Sequence, residues 1–238
     1  MERSSVSTVR ENLLRVEERI CAAGAAAGRS RDSVRLMAVT KPVEPARILE
    51  AIACGIDLIG ENRVQEYLGK KTYLEEAAAV ERHLIGHLQS NKVNAIVGQV
   101  DMIQSVDSLE LAQRISRRSE QLGLVTPVLV EVNIGGEAAK SGAAPADLEE
   151  LLEQMAVLPG ISVQGLMTVP PISEKEKEKR QFFSKMRHLS VDIKEKNIDN
   201  IDMQILSMGM SGDYPEAILE GATLIRVGSA IFGQRVYP

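Results

Sequence analysis

Short apolar runs alternate with longer amphipathic ones along this chain, and that alternation constrains its fold more than any single motif does. The runs are RLMAVT (35–40), IDLIGE (56–61), RHLIGH (82–87), DMIQSV (101–106), PVLVEVN (127–133), VQGLMTV (163–169), MQILSMG (203–209) and TLIRVG (223–228). Between them lie helical patterns such as EPARILEAIACG, ENRVQEYLGKKTYLEEAA, DSLELAQRISRRSEQLG and PADLEELLEQMAVLPG, and three of these end on glycine, common just past a helix end. Eight strands with helices between them in 238 residues match an α/β fold, a (β/α)8 TIM-type barrel. An open doubly wound sheet is the competitor. The segment from about Ser5 to Ala27 spaces Val9, Leu13, Leu14, Val16 and Ile20 as a helix does. This predicts an extra N-terminal helix within residues 1–30, packed on the barrel. No Pro/Gly/Ser-rich linker interrupts the sequence, so residues 1–238 are expected to form one domain.

Composition excludes several function classes. The net charge is −5, with three Phe, four Tyr and no Trp. A nucleic-acid binder needs a basic face, and a single-strand binder needs stacking aromatics. The densest charge run, SEKEKEKRQFF (173–183), mixes signs, with opposite charges four apart at Glu176 and Arg180, and reads as a solvated helix face. No apolar run approaches the ~18 residues needed to cross a bilayer, and the N-terminus lacks the apolar centre of a signal peptide. Cys21 and Cys54 stand singly among small apolar residues without CxxC spacing. Lone thiols fit a reducing cytoplasm, and both read as small core residues.

In a barrel, chemistry belongs at the C-terminal ends of the strands. Polar groups collect there: Lys41, Glu61 and Asn62, His87 to Asn91, Asn133, Met167-Thr168, Ser207 to Gly209, and Gly228-Ser229. Met37, Val39 and Lys41 share one strand face, so the lysine extends a buried apolar stripe, and Pro42 restricts it toward extended backbone. A partly desolvated ammonium gives up its proton more readily and can act as a Schiff-base nucleophile. SMGMSGDYPE (207–216) leaves strand seven, with Asp213 and Glu216 as a capping pair and Pro215 in the first turn. RVGSAIFG (226–233) leaves strand eight. Both turns bare backbone N–H groups at the position where barrels build phosphate sites. Arg226 shares a side with Gly228 and could be a ligand contact or a structural salt bridge. His83 and His87 are four apart, roughly 13 Å along a strand, too far for one metal ion. His83 is expected to start its strand, and no metal site is expected. The residues thus point to a phosphorylated ligand beside a reactive amine. A Schiff-base aldolase with Glu61 as acid/base fits equally well.

Seven blocks now recur in order: AVTK (38–41), GENRVQE (60–66), HLIGHLQSNK (83–92), VNIGGEAAKSG (132–142), GLMT (165–168), LSMGMSGD (206–213) and RVGSAIFG (226–233). Together they resemble the pyridoxal phosphate homeostasis protein family, related to the N-terminal barrel of alanine racemase. The resemblance implies that Lys41 carries pyridoxal 5′-phosphate (PLP) as an internal aldimine. It implies that Ser207, Gly209, Ser211, Gly228 and Ser229 hold the phosphate and that Arg226 sits near the pyridine nitrogen. Asn62, His87 and Met167 would line the ring, and Lys140 is a second amine of interest. A cation beside the ring nitrogen weakens the electron sink. Racemases on this fold also draw an acid/base from a second domain or a partner. Only five residues follow Gly233, so no second domain is expected. The expectation is a cytoplasmic PLP carrier without substantial turnover and without catalytic residues, a monomer or weak dimer, delivering PLP to PLP-dependent apoenzymes. The alternative is a fold-type III PLP enzyme such as an amino-acid racemase.

Overall fold

The computed structural model describes residues 8–75, 79–137 and 139–233. Its strands are β1 Arg35–Val39, β2 Leu58–Glu61, β3 Glu81–Leu84, β4 Met102–Val106, β5 Thr126–Glu131, β6 Ile161–Met167, β7 Ile201–Ser207 and β8 Leu224–Val227. Each pairs in parallel with the next, and β1 pairs with β8, so the sheet closes into a barrel. That pairing excludes the open sheet. The helices are α1 Val9–Ala26, α2 Pro45–Ala53, α3 Val64–Glu75, α4 Val93–Ile96, α5 Leu109–Gln121, α6 Leu148–Ala156, α7 Glu176–Lys196, α8 Tyr214–Leu219 and α9 Ser229–Phe232.

The strands alternate between two apolar layers. Ile59, Val128, Val130, Leu166, Leu206 and Ile225 belong to the large cluster between barrel and helices. Inside the barrel, Met37, Leu58 and Leu224 form one group, with Ile85 and Ile205 against it. Met102, Leu129 and Met167 form a second. Each such side chain contributes roughly 1.5–3 kcal/mol by leaving water.

The predicted N-terminal helix is α1, and its start is set by a capping box. Thr8 Oγ1 accepts from Glu11 N at 3.2 Å, and Thr8 N donates to Glu11 Oε2 at 3.0 Å. Val9, Leu13, Val16, Ile20 and Ala23 are its buried stripe, while Leu14 is 58% exposed and faces water. Residues 1–7 lie outside the described residues. The helix packs on α8 and α9, and Asn12 Nδ2 donates to Ile231 O at 2.8 Å. This anchors the loop after β8.

Three expectations need correction. Cys21 and Cys54 are exposed rather than in the core, because Cys21 lies off the buried stripe of α1 and Cys54 caps the end of α2. Arg180 pairs with Glu220 at 2.7 Å, so the charged face of α7 is tied to the end of α8 rather than to Glu176. Strand β3 ends at Leu84, three residues earlier than the apolar run suggests, which places His87 in the following loop. Among the described residues no helix is long and apolar enough to cross a membrane.

Candidate functional site at the barrel mouth

β1 ends at Val39, and the next residues form a turn closed by Val43 N, which donates to Thr40 O at 2.8 Å, so Lys41 does not continue the extended strand. Thr40 is buried, and its Oγ1 donates to Glu61 Oε1 at 2.5 Å. Lys41 is half-buried and lines a cavity of about 250 Å³ with Val39, Arg47, Gly228, Ser229 and Phe232. A larger surface groove of about 530 Å³ lies beside α7, lined by Glu176, Lys177, Arg180 and Glu220. Its lining is mostly charged, with Arg180 and Glu220 paired, and includes no glycine, unlike the smaller cavity.

Among the described residues Lys41 Nζ has no hydrogen-bond or ion-pair partner. The other lysines near the mouth are held. Lys70 Nζ lies 2.8 Å from Glu61 Oε1 and donates to Thr40 O at 2.8 Å. Lys140 Nζ lies 2.5 Å from Glu137 Oε2 and donates to Pro170 O at 3.2 Å. Lys41 thus differs from Lys70 and Lys140 in lacking such a tether among the described residues.

The turn after β7 meets the turn after β8, which supplies Gly228 and Ser229 to the cavity. The N–H groups of Gly228 and Ala230 both donate to Ser211 Oγ, at 3.1 and 3.2 Å. An oxygen of an anion could accept the same pair of donors. Gly209 makes the first turn possible: its φ is +93°, and a Cβ there would lie 2.6 Å from Ala217 Cβ. Its carbonyl accepts from Arg226 N at 2.9 Å, which locks the turn to β8. Pro215 stands in the first turn of α8 as expected. Asp213, however, does not cap that helix with its side chain; its Oδ1 accepts from Met210 N at 2.6 Å and closes the glycine-rich turn instead.

Arg226 is buried in the mouth. Its Nη1 donates to Ser207 Oγ at 2.7 Å, and its Nη2 donates to Thr168 O at 2.8 Å. Burial pulls its pKa down to about 10, against the opposing fields of Asp213 and Glu131. It stays a cation at neutral pH. Ser207 is fully buried, with its hydroxyl engaged by Arg226 and Gln104. Its side chain therefore faces Arg226 rather than the Ser211 cradle.

The remaining expected residues sit around this centre. Asn62 is half-buried directly after β2. A Cβ on Gly86 would lie 2.1 Å from Asn62 O, so only glycine lets the β3 loop approach it. His87 is exposed, its Nδ1 3.6 Å from Asp107 Oδ2. Met167 is buried at the end of β6 and floors the mouth. Glu61 points outward, into the helix layer: Leu58 and Asn62 flank it on the opposite face, and a Cβ on Gly60 would meet Met37 inside the barrel. It pairs with Lys70 and is no acid/base for the cavity.

Glu131 was not singled out by motif. It ends β5 on the face of Leu129, where burial and then Asp107 push its carboxyl up to about 6, against Arg226 and His87. The signal was present: a carboxylate closing an apolar run at the rim. His83 does not start its strand. It is the third residue of β3 and is buried inside the barrel.

The chain is similar to known proteins in sequence and fold. The family profile described as alanine racemase, N-terminal domain, covers residues 12–236. The pyridoxal phosphate homeostasis protein of Aquifex aeolicus is 43% identical over 95% of this chain and 98% of its own length. The chain belongs to the pyridoxal phosphate homeostasis protein family. The family member from Pseudomonas aeruginosa is 40% identical over 98% of both chains. Among solved structures, PipY of Synechococcus elongatus with PLP bound superposes with a TM-score of 0.81 at 36% identity, covering 92% of this chain and all of that one (100%). Alanine racemase of Clostridium difficile shares the fold, with a TM-score of 0.75 at 15% identity over 97% of this chain and 57% of the enzyme.

Proposed function

We propose that this protein binds PLP on Lys41 and stores, buffers and delivers it, keeping the free aldehyde low. The observation that carries this reading is a lysine amine with no partner among the described residues, sharing a cavity of about 250 Å³ with Gly228 and Ser229 of the amide cradle. The residues suit the cofactor's chemistry. Lys41 provides the amine; Ser211 and the backbone of Gly228, Ser229 and Ala230, shaped by Gly209, provide anion donors. Arg226 would offer a fixed cation to the ring nitrogen, and Asn62, His87 and Met167 would line the ring. When bound, PLP supplies an aldehyde carbon to which amines attach reversibly.

The neighbourhood favours holding over turnover. A guanidinium beside a pyridine nitrogen opposes its protonation, so the ring withdraws electrons weakly. Release would follow when another amine takes the place of Lys41 at the aldehyde carbon, returning the lysine as a free amine. PLP-dependent apoenzymes in the cytoplasm are the recipients, and the carrier works as a monomer or weak dimer. The racemase reading has one observation on its side: Glu131, with a pKa near 6, is a possible proton acceptor at the mouth.

Two measurements separate these readings. PLP-loaded protein mixed with an apoenzyme should restore that enzyme's activity at a rate set by release. Proton NMR of alanine in D₂O should show no loss of the α-proton signal at enzymatic rates. Rapid loss would replace the carrier with the enzyme.

A further inference from the structure

A small barrel normally fills its interior with layers of branched apolar side chains. This one carries a line of polar groups through those layers. Arg226 on β8 donates to Ser207 on β7 at 2.7 Å, and Ser207 Oγ donates to Gln104 Oε1 on β4 at 2.7 Å. Gln104 Nε2 lies 2.8 Å from His83 Nδ1 on β3, and His83 Nε2 lies 2.6 Å from Glu81 Oε1. Arg35 closes the line at the opposite face, with Nη1 2.8 Å from Glu81 Oε2. Ser207 and Gln104 are 0% exposed, His83 1% and Arg226 3%.

The direction of every bond follows from the two ends. A guanidinium only donates, so Ser207 must accept from Arg226 and send its single proton to Gln104. Gln104 then presents its oxygen to Ser207 and its NH₂ to His83. His83 Nδ1 must accept, which puts the ring proton on Nε2, aimed at Glu81. A carboxylate bonded to Arg35 is the acceptor that ends the line. Each member is specified by its neighbour, and replacing one by an apolar group leaves buried partners unsatisfied.

Only Arg226 among these residues belongs to the binding site. We propose that His83 and Gln104, acting through Ser207, are positioning residues that hold the Arg226 guanidinium in one orientation toward the heteroaromatic ring of the ligand. The orienting function rests on the PLP reading above, whereas the relay itself does not. Nη2 donates to Thr168 O at 2.8 Å, so two hydrogen bonds, to Thr168 and Ser207, define the orientation of the guanidinium. The relay fixes the second of them.

The test has an arm for each level. Long-range ¹H–¹⁵N correlation on ligand-free, ¹⁵N-histidine-labelled protein should show one of the three histidines as the Nε2–H tautomer, and this signal should be the one lost in His83→Asn. An Nδ1–H tautomer at His83 would overturn the relay whether or not PLP binds. For function, His83→Leu and His83→Asn are compared. Asparagine Oδ1 occupies the place of Nδ1 and still accepts from Gln104; leucine cannot. Loss of one buried hydrogen bond predicts that His83→Leu shifts the absorption maximum of bound PLP and weakens PLP binding about fivefold. His83→Asn should restore both to about wild-type values. Should both variants lower the melting temperature yet leave absorption and affinity at wild-type values, the relay is a core contact only and the positioning role is wrong. If the tautomer is as expected but wild-type protein takes up no PLP, the PLP reading fails, and with it the orienting function.

Discussion

Lys70 Nζ lies 2.8 Å from Glu61 Oε1, in the helix layer, while Lys41 lines the cavity beside Gly228 and Ser229. Two lysines a few ångströms of backbone from the rim thus have opposite fates. One is held in an ion pair and donates to the Thr40 carbonyl; the other has no partner among the described residues. Glu61 is 1% exposed, and its Oε2 has no partner among the described residues, so this carboxylate depends heavily on Lys70.

Removing Lys70 should therefore cost stability and spare chemistry. Lys70→Met leaves Glu61 buried without a counter-charge, a loss of about 3–5 kcal/mol. Urea denaturation measures this. The variant, where folded, should still take up PLP on Lys41, and Lys70→Met/Glu61→Gln should recover much of the lost stability.

The cradle makes a prediction about the phosphate alone. Ser211→Ala removes the hydroxyl that lies against Gly228 N and Ala230 N. Losing one hydrogen bond to a charged group should weaken PLP binding about tenfold. Pyridoxal, which lacks the phosphate, should bind wild type and variant alike. Fluorescence titration with both ligands checks this; equal weakening of both would remove Ser211 from the phosphate site.

Glu131 gives stability a pH dependence. Its folded pKa is raised, from 4.5 to about 6. Between these values the folded state holds a proton that the unfolded state has released, so stability falls as pH rises through that window. The fall should be about 1–2 kcal/mol. Glu131→Gln should flatten it.

Glu81 acts in the opposite sense. Its carboxyl is pulled down from 4.5 to about 2, first by the His83 hydrogen bond and then by Arg35, against its own burial. A depressed carboxylate contributes stability that is present above pH 4.5 and lost as the pH falls toward 2. Thermal melts across that range should show the loss in wild type and a weaker slope in Glu81→Gln.

The barrel was legible because the strand runs are short, regularly spaced and separated by amphipathic helices. Lys41 drew attention because a lysine follows an apolar run next to a proline, yet β1 ends at Val39 and Lys41 stands in a turn rather than in extended strand, closed by Val43 N donating to Thr40 O at 2.8 Å. Other positions were hidden for a physical reason: strands buried on both faces are apolar on both, so alternation alone cannot say which face points inward. That is why Glu61 looked like a rim acid when it faces α3, and why His83 looked like a strand start when it sits inside. The line from Arg226 to Glu81 joins β8, β7, β4 and β3. It depends on how far strands are staggered around the barrel, which no local pattern encodes. Ser207 shows the cost: its place beside a glycine-rich turn suggested a phosphate ligand, yet its hydroxyl serves Arg226. The thiols were misplaced because alanine-rich helix segments do not mark which face is buried.

The most direct test of the account is borohydride reduction of the PLP-loaded protein, followed by proteolysis and peptide mapping. The account predicts a pyridoxyl label on Lys41 and its loss in Lys41→Ala. A label on Lys70 or Lys140, with Lys41 unmodified, would contradict it.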